Sequence, residues 1–165
     1  MIISFKTDII ILMDNLIIQK LKNKDHLPWN LLLLADPSRE KVEEYIKDSN
    51  IYIALLNNKT VGVYVLTNIT SDVIELKNIV VDKSHQRQGI GEYLVLDAIS
   101  RAKDKKVKKI EVGTGNSSLS QLALYQKCGF EIIGVDKGFF TRNYRQEIIE
   151  NGIKCVDMIR LAIDF

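Results

Sequence analysis

The chain has 165 residues, of which 46% are hydrophobic and 27% charged, and its formal net charge is +2. That length suffices for one domain with a core that needs neither disulfides nor metal. So small a charge, with no basic run interleaved with aromatics, argues against a nucleic-acid partner. Met1–Leu12 is apolar but broken by Lys6 and Asp8, and it is too short to span a bilayer. It reads as an extension, or an upstream start, outside a single domain covering residues 13–165.

Leu16–Leu21 reads as a first strand, and Asp25–Ala35 as a helix capped by Asp25. Asp36-Pro37 is expected to open a second helix, with Asp as N-cap, Pro at the first position, and Val42, Tyr45 and Ile46 on one face. Ile51–Leu56 and Thr60–Leu66 read as a hairpin across Asn57-Asn58-Lys59. A strand over 73–82 is followed by a helix from Gly89 to Lys105, with Val95, Ala98, Ile99 and Ala102 facing the core. Strand 108–114, helix 118–127, strand 130–135 and a last strand near 154–163 complete the chain. Antiparallel strands first and βα units later predict an α/β fold, a mixed and mostly antiparallel central sheet with helices on both faces.

Strand 73–82 changes parity. Ile74 and Leu76 place apolar side chains on even positions, whereas Ile79 and Val81 are odd. One inserted residue near Lys77–Ile79, a β-bulge, explains the switch and releases backbone groups from the sheet ladder. A strand end buried on both faces would also produce Ile79-Val80-Val81.

Gln86-Arg87-Gln88-Gly89-Ile90-Gly91 lies between that strand and the long helix. The first turn of a helix carries unpaired N–H groups and partial positive charge, a ready site for phosphate. Glycines let a pyrophosphate reach the backbone without meeting a Cβ. Two familiar phosphate loops fail on spacing. A Walker loop needs Lys-Ser/Thr after its last glycine, but Glu92-Tyr93 follows Gly91. A dinucleotide fingerprint needs a third glycine where this chain has Leu94.

The pattern that fits is Q/R-x-x-G-x-G/A, which resembles the acyl-CoA-binding signature of the GCN5-related N-acetyltransferase (GNAT) superfamily. Downstream, Asn116 and then Tyr125-Gln126-Lys127-Cys128-Gly129-Phe130 resemble the Asn…Tyr-x-x-x-Gly-Phe ending of the same superfamily. The helix between them is expected to place Leu119, Leu122 and Ala123 on one apolar stripe with Tyr125 at its edge. The resemblance implies the acyl-CoA N-acyltransferase fold with a bulged fourth strand, and acetyl-CoA as cosubstrate without metal. It also implies cofactor contacts from Ile79, Val80, Val81, Gln86, Arg87, Gln88, Gly89, Ile90, Gly91, Glu92, Asn116, Tyr125 and Lys127. By position, Asn116 would bond the pantetheine arm and Tyr125 would protonate the departing thiolate. Glu75 matches the place of a glutamate that serves as base in the histone-modifying branch; many members have no such residue. One departure is Asp82, where the family usually has proline, which implies a less rigid loop.

The expected reaction moves an acetyl group to a primary amine of a small molecule by direct attack. Protein lysines or N-termini are an alternative acceptor, and a non-catalytic acyl-CoA-binding module is a reading of another class. The connection Asp136–Gly152 carries Phe139, Phe140, Arg142, Tyr144, Glu147 and Glu150. Aromatics beside carboxylates suit a cationic amine, and they equally suit a dimer contact. Cys128 and Cys155 have no metal or redox spacing and read as reduced cytosolic thiols; His26 and His85 are isolated. No membrane partner is expected, and a homodimer is.

Overall fold

The computed structural model describes residues 15–165. The expected extension, residues 1–12, lies outside the described residues. Nine strands and five α-helices follow in the order β1 (Leu16–Lys20), α1 (Trp29–Ala35), α2 (Arg39–Ile46), β2 (Ser49–Leu56), β3 (Lys59–Asn68), β4 (Val73–Val81), α3 (Ile90–Asp104), β5 (Lys109–Gly115), α4 (Leu119–Lys127), β6 (Glu131–Asp136), α5 (Phe139–Asn143), β7 (Ile149–Glu150), β8 (Ile153–Lys154) and β9 (Met158–Asp164). Seven strands form one sheet in the order β1-β2-β3-β4-β5-β9-β6, and β7 and β8 form a separate hairpin. The β4·β5 pair is parallel; β1·β2, β2·β3, β5·β9 and β6·β9 are antiparallel. The expected mixed, mostly antiparallel α/β sheet is what the chain forms.

The chain divides into two compact units, and the division runs through β4 and α3. Among the described residues, one unit holds residues 15–67 together with Asn78–Ala98; the other holds Asn68–Lys77 with Ile99–Phe165.

In the first unit, Asn57 (φ 50°) and Asn58 (φ 63°) turn β2 into β3 with Leu56 opposite Lys59. Two consecutive left-handed residues make the tight turn whose twist suits a hairpin, and asparagine tolerates that conformation. Odd positions Ile51, Ile53, Val63 and Val65 pack beneath Leu31 and Leu32 of α1 and Val42 and Ile46 of α2, all buried. Burial of each such side chain is worth about 1.5–3 kcal/mol. On even positions Tyr52 stacks on Tyr64 at 4.9 Å, and the Tyr64 hydroxyl donates to Asp97 of α3 at 2.5 Å. A Cβ on Gly62 would stand 3.0 Å from Leu94 Cδ1, so the missing side chain lets α3 lie close to β3.

Both early helices begin later than the sequence suggests. Pro28 holds Leu27 extended (ψ 133°), which splits Asp25–Ala35 into a 3-10 turn at Lys24–His26 and α1 from Trp29. Asn23, not Asp25, caps that turn. Asp36 is not the cap of α2. Its Oδ1 accepts from Ser38 N at 3.1 Å, and Ser38 Oγ, the actual cap, accepts from Lys41 N at 3.4 Å.

In the second unit β5 is central. Parallel pairing runs from Val73↔Lys109 to Leu76↔Val112 and ends there, just ahead of the segment where a bulge is expected. Side chains of Ile74, Leu76, Ile110, Val112 and Leu161 are buried. Helix α4 presents a different stripe from the one expected. Leu119 is half exposed and Ala123 exposed, while Tyr125 is only 3% exposed and meets Phe130 edge-on at 5.8 Å. The inward line runs through Leu122, Tyr125 and Cys128 at three-residue spacing.

Candidate active site

The loop after β4 is built from its own side chains. Asp82 N donates to Val61 O at 2.8 Å, and Asp82 Oδ1 accepts from Ser84 N at 2.9 Å and Ser84 Oγ at 2.5 Å. These Ser84 bonds, with help from His85, hold the Asp82 carboxyl below the usual carboxylate range. An Asx turn at Asp82 thus stands in the place of the expected proline. Gln86 Nε2 donates to Val81 O at 3.0 Å and Gln88 Nε2 to Ser84 O at 3.4 Å, so both amides brace the turn.

Arg87 (φ 60°) and Gly89 (φ 83°) then reverse the chain in left-handed conformations. Ile90 is buried and anchors the helix start, whereas Gln86, Arg87, Gly89 and Glu92 are exposed. The first helical bond is Tyr93 N to Gly89 O at 3.1 Å, so the amides of Ile90, Gly91 and Glu92 precede the ladder. A first turn of amides outside the helical ladder, with a glycine beside it, is what a phosphate-bearing ligand needs.

On β4 itself, Ile79 and Val80 are half-buried and Val81 buried. The residue that sequence reasoning passed over is Asn78, only 4% exposed. Its Nδ2 donates to Leu32 O at 3.2 Å and to the Tyr45 hydroxyl at 2.8 Å, tying the strand to α1 and α2. Desolvation by burial, the leading cause, raises the Tyr45 pKa although the Asn78 bond opposes it. The signal was present: a polar residue interrupts the apolar even positions Ile74 and Leu76.

In the second unit three of the expected residues have unexpected surroundings. Glu75, read as an exposed strand residue if not a base, is 6% exposed. Its Oε1 accepts from Arg160 Nη1 at 2.8 Å, and Oε2 faces Lys77 Nζ at 3.4 Å. Asn116 spends most of its amide on the chain itself. Oδ1 accepts from Val156 N at 2.8 Å and Asp157 N at 3.0 Å, while Nδ2 donates to Lys154 O at 3.0 Å. Both carbonyl lone pairs are thereby used, leaving one N–H, so the side chain staples residues 154–157 more than it faces a ligand. Tyr125, expected at the edge of a stripe with its hydroxyl reachable, is buried, and desolvation pushes its phenol pKa well up. Lys127 is exposed at the end of α4.

The 136–152 connection also differs in detail. Phe140 meets Phe139 edge-on at 5.2 Å and stacks on Tyr144 at 5.6 Å. A cavity of about 190 Å³ is lined by Phe140 and Tyr144, with Arg145, Glu147, Lys154 and Cys155 among its walls. The carboxylates expected to meet a cationic amine are engaged: Glu147 with Lys154 at 2.5 Å, and Glu150 with Ser118 Oγ at 2.5 Å. Arg142 pairs with Asp136 at 2.6 Å. Among the described residues no group of three or more His, Cys, Asp or Glu is placed to hold a metal, and no helix is long and apolar enough to cross a membrane.

A model of the acetyltransferase (GNAT) family matches residues 18–130, a span that holds the loop, β4 and Tyr125. The chain belongs to that family. The uncharacterised N-acetyltransferase YvbK of Bacillus subtilis (strain 168) is 50% identical over 136 residues, 82% of this chain and 88% of its own. A GNAT acetyltransferase from Elizabethkingia anophelis, solved with acetyl-CoA bound, is 46% identical with a TM-score of 0.90, covering 92% of this chain and 99% of its own. A Bacillus subtilis acetyltransferase solved with CoA is 48% identical with a TM-score of 0.85, covering 91% of this chain and 99% of its own.

Proposed function

We propose that this GNAT enzyme transfers an acetyl group from acetyl-CoA to a primary amine of a small molecule, by direct attack in a ternary complex. The observation that carries the reading is the loop from Asp82 to Tyr93, a preformed anion cradle inside the matched family span. Relatives 46% and 48% identical hold acetyl-CoA and CoA.

Bound acetyl-CoA supplies the activated acyl group; everything else falls to the chain. First-turn amides of Ile90, Gly91 and Glu92, with the Gln86–Gly89 backbone, receive the pyrophosphate. Backbone groups of Ile79, Val80 and Val81 hold the pantetheine arm and donate to the developing oxyanion. Asn116 contributes through its remaining N–H, and Lys127 by its charge. Tyr125 is the donor to the leaving thiolate; burial raises its pKa, so in this buried state it holds its proton and does not act as a base. Glu75 takes the amine's proton on the carboxylate edge that Arg160 does not occupy.

A homodimer belongs to the same proposal. Edge strand β6 exposes Ile132, Ile133 and Val135, each about half accessible, more apolar surface than an edge normally shows. Cys128 and Cys155 form no disulfide with each other, which suits a reducing cytoplasm.

The test is CoA release from acetyl-CoA across polyamines, aminoglycosides, amino acids and lysine peptides. It is followed by chromatography so that the protein's thiols do not interfere. Turnover confined to one small-amine class supports the reading, and preference for peptides replaces the acceptor. Acetyl-CoA that neither turns over nor raises the melting temperature ends it.

A further inference from the structure

Glu75 on β4 and Glu111 on β5 stand directly opposite each other in the parallel pair. Two carboxylates at that spacing repel unless a cation lies between them. Arg160 on β9 supplies it, opposite Gly113 and two positions along β9 from Ala162, the partner of Glu111. Its guanidinium donates through Nη1 to Glu75 Oε1 and through Nη2 to Glu111 Oε2, both at 2.8 Å. Gly113 makes this reach possible, because a Cβ there would lie 2.9 Å from Nη1 and 2.6 Å from Met158 Sδ. The arginine thus passes over a bare stretch of β5 and joins three strands.

We propose that Arg160 is a positioning residue for the acceptor-side base Glu75, with Glu111 as its brace. The inference rests on the reading that Glu75 accepts the proton of the attacking amine. A guanidinium keeps its proton at every working pH, so its bond holds the Glu75 carboxyl in one rotamer. Glu111 takes the other Nη of the same guanidinium and fixes the plane in which it meets Glu75. Oε2 remains the working edge, and Lys77 Nζ at 3.4 Å already stands where a substrate ammonium would sit. Lys109, two positions before Glu111 on β5, pairs with Asp164 at 3.5 Å. In the assisted step one proton passes from the ammonium to Glu75, and the neutral amine's lone pair forms the C–N bond as the C–S bond breaks; the nitrogen then gives up its second proton, matched by the one that the departing thiolate gains through Tyr125.

The test compares wild type with Arg160→Gln, Arg160→Lys, Glu111→Gln and Glu75→Gln, all checked for fold by circular dichroism. Two quantities are read: kcat and KM for the amine, taken separately, and the carbon-13 line width of the Glu75 carboxyl in protein without substrate, which broadens when the side chain leaves a single rotamer. Arg160→Gln should lower kcat by on the order of tenfold with KM changed by less than about threefold, and broaden the line, with Arg160→Lys between it and wild type. Glu111→Gln, which removes one anchor of the guanidinium, should move both the same way by a smaller amount. Affinity for acetyl-CoA should stay constant throughout. A folded Arg160→Gln protein, or failing that Arg160→Lys together with Glu111→Gln, with unmoved kcat and line width would overturn the positioning role while leaving the acetyl transfer intact. Glu75→Gln with wild-type turnover would overturn the base assignment and this inference together, though not the family's reaction.

Discussion

The loop proposed to take phosphate and the Glu75 cluster hold themselves together in opposite ways. Around Asp82–Gln88 the side-chain bonds span two to five residues, from Ser84 N on Asp82 to Gln86 on Val81 O. Arg160 reaches Glu75 across 85 residues and Glu111 across 49. A loop closed by near neighbours forms with little loop-closure entropy, whereas a triad drawn from three strands exists only once the sheet is assembled. The loop is accordingly the robust part, where one backbone conformation matters most. The charged cluster is the part where substitutions act through their partners.

The sharpest way to break that comparison is Gly89→Val. A β-branched residue at φ 83° is strained, and its side chain meets the ligand's phosphates. Affinity for acetyl-CoA should fall by on the order of a hundredfold, measured by calorimetry, with the fold retained by circular dichroism. Unchanged affinity removes the loop from the cofactor site. Tyr125→Phe should lower kcat by on the order of a hundredfold and leave acetyl-CoA affinity nearly unchanged. Equal losses in both would make Tyr125 a packing residue, as its burial allows.

Asn116→Ala sharpens the contrast from the other side. It deletes three side-chain bonds to residues 154–157, at about 1 kcal/mol each. Thermal unfolding should therefore show a loss of roughly 2–3 kcal/mol, with acetyl-CoA affinity reduced less than fivefold. A large affinity loss without a stability change would restore the pantetheine role. The smallest effect is expected from starting the chain at Met13: soluble yield and turnover should stay within about twofold, since the proposed domain covers 13–165. Loss of soluble protein would show that residues 1–12 belong to the domain.

Much of the fold was legible because its signals are local. The Asn57-Asn58 turn, the buried Val95, Ala98, Ile99 and Ala102 on α3, and the glycines at its start all follow from periodicity and turn chemistry. Helix starts were misread where two local rules compete: Asp25 and Asp36 are good caps, but Pro28 and Ser38 decide where the backbone becomes helical. That Asn78 is a polar residue on a buried line could be read from Ile74 and Leu76, but its partners Leu32 and Tyr45, and the partners Glu75 and Glu111 of Arg160, could not, since nothing in the sequence neighbourhood names them.

By itself, then, the sequence determined the family, the order of the main elements and the turn that opens α3, because each rests on patterns of residues a few positions apart. Only the tertiary structure decided that Tyr125 is buried, that Asn116 staples residues 154–157, and that Glu75 shares a guanidinium with Glu111. Burial and ion pairing depend on which strands become neighbours, and that register is set by the packing of the whole sheet.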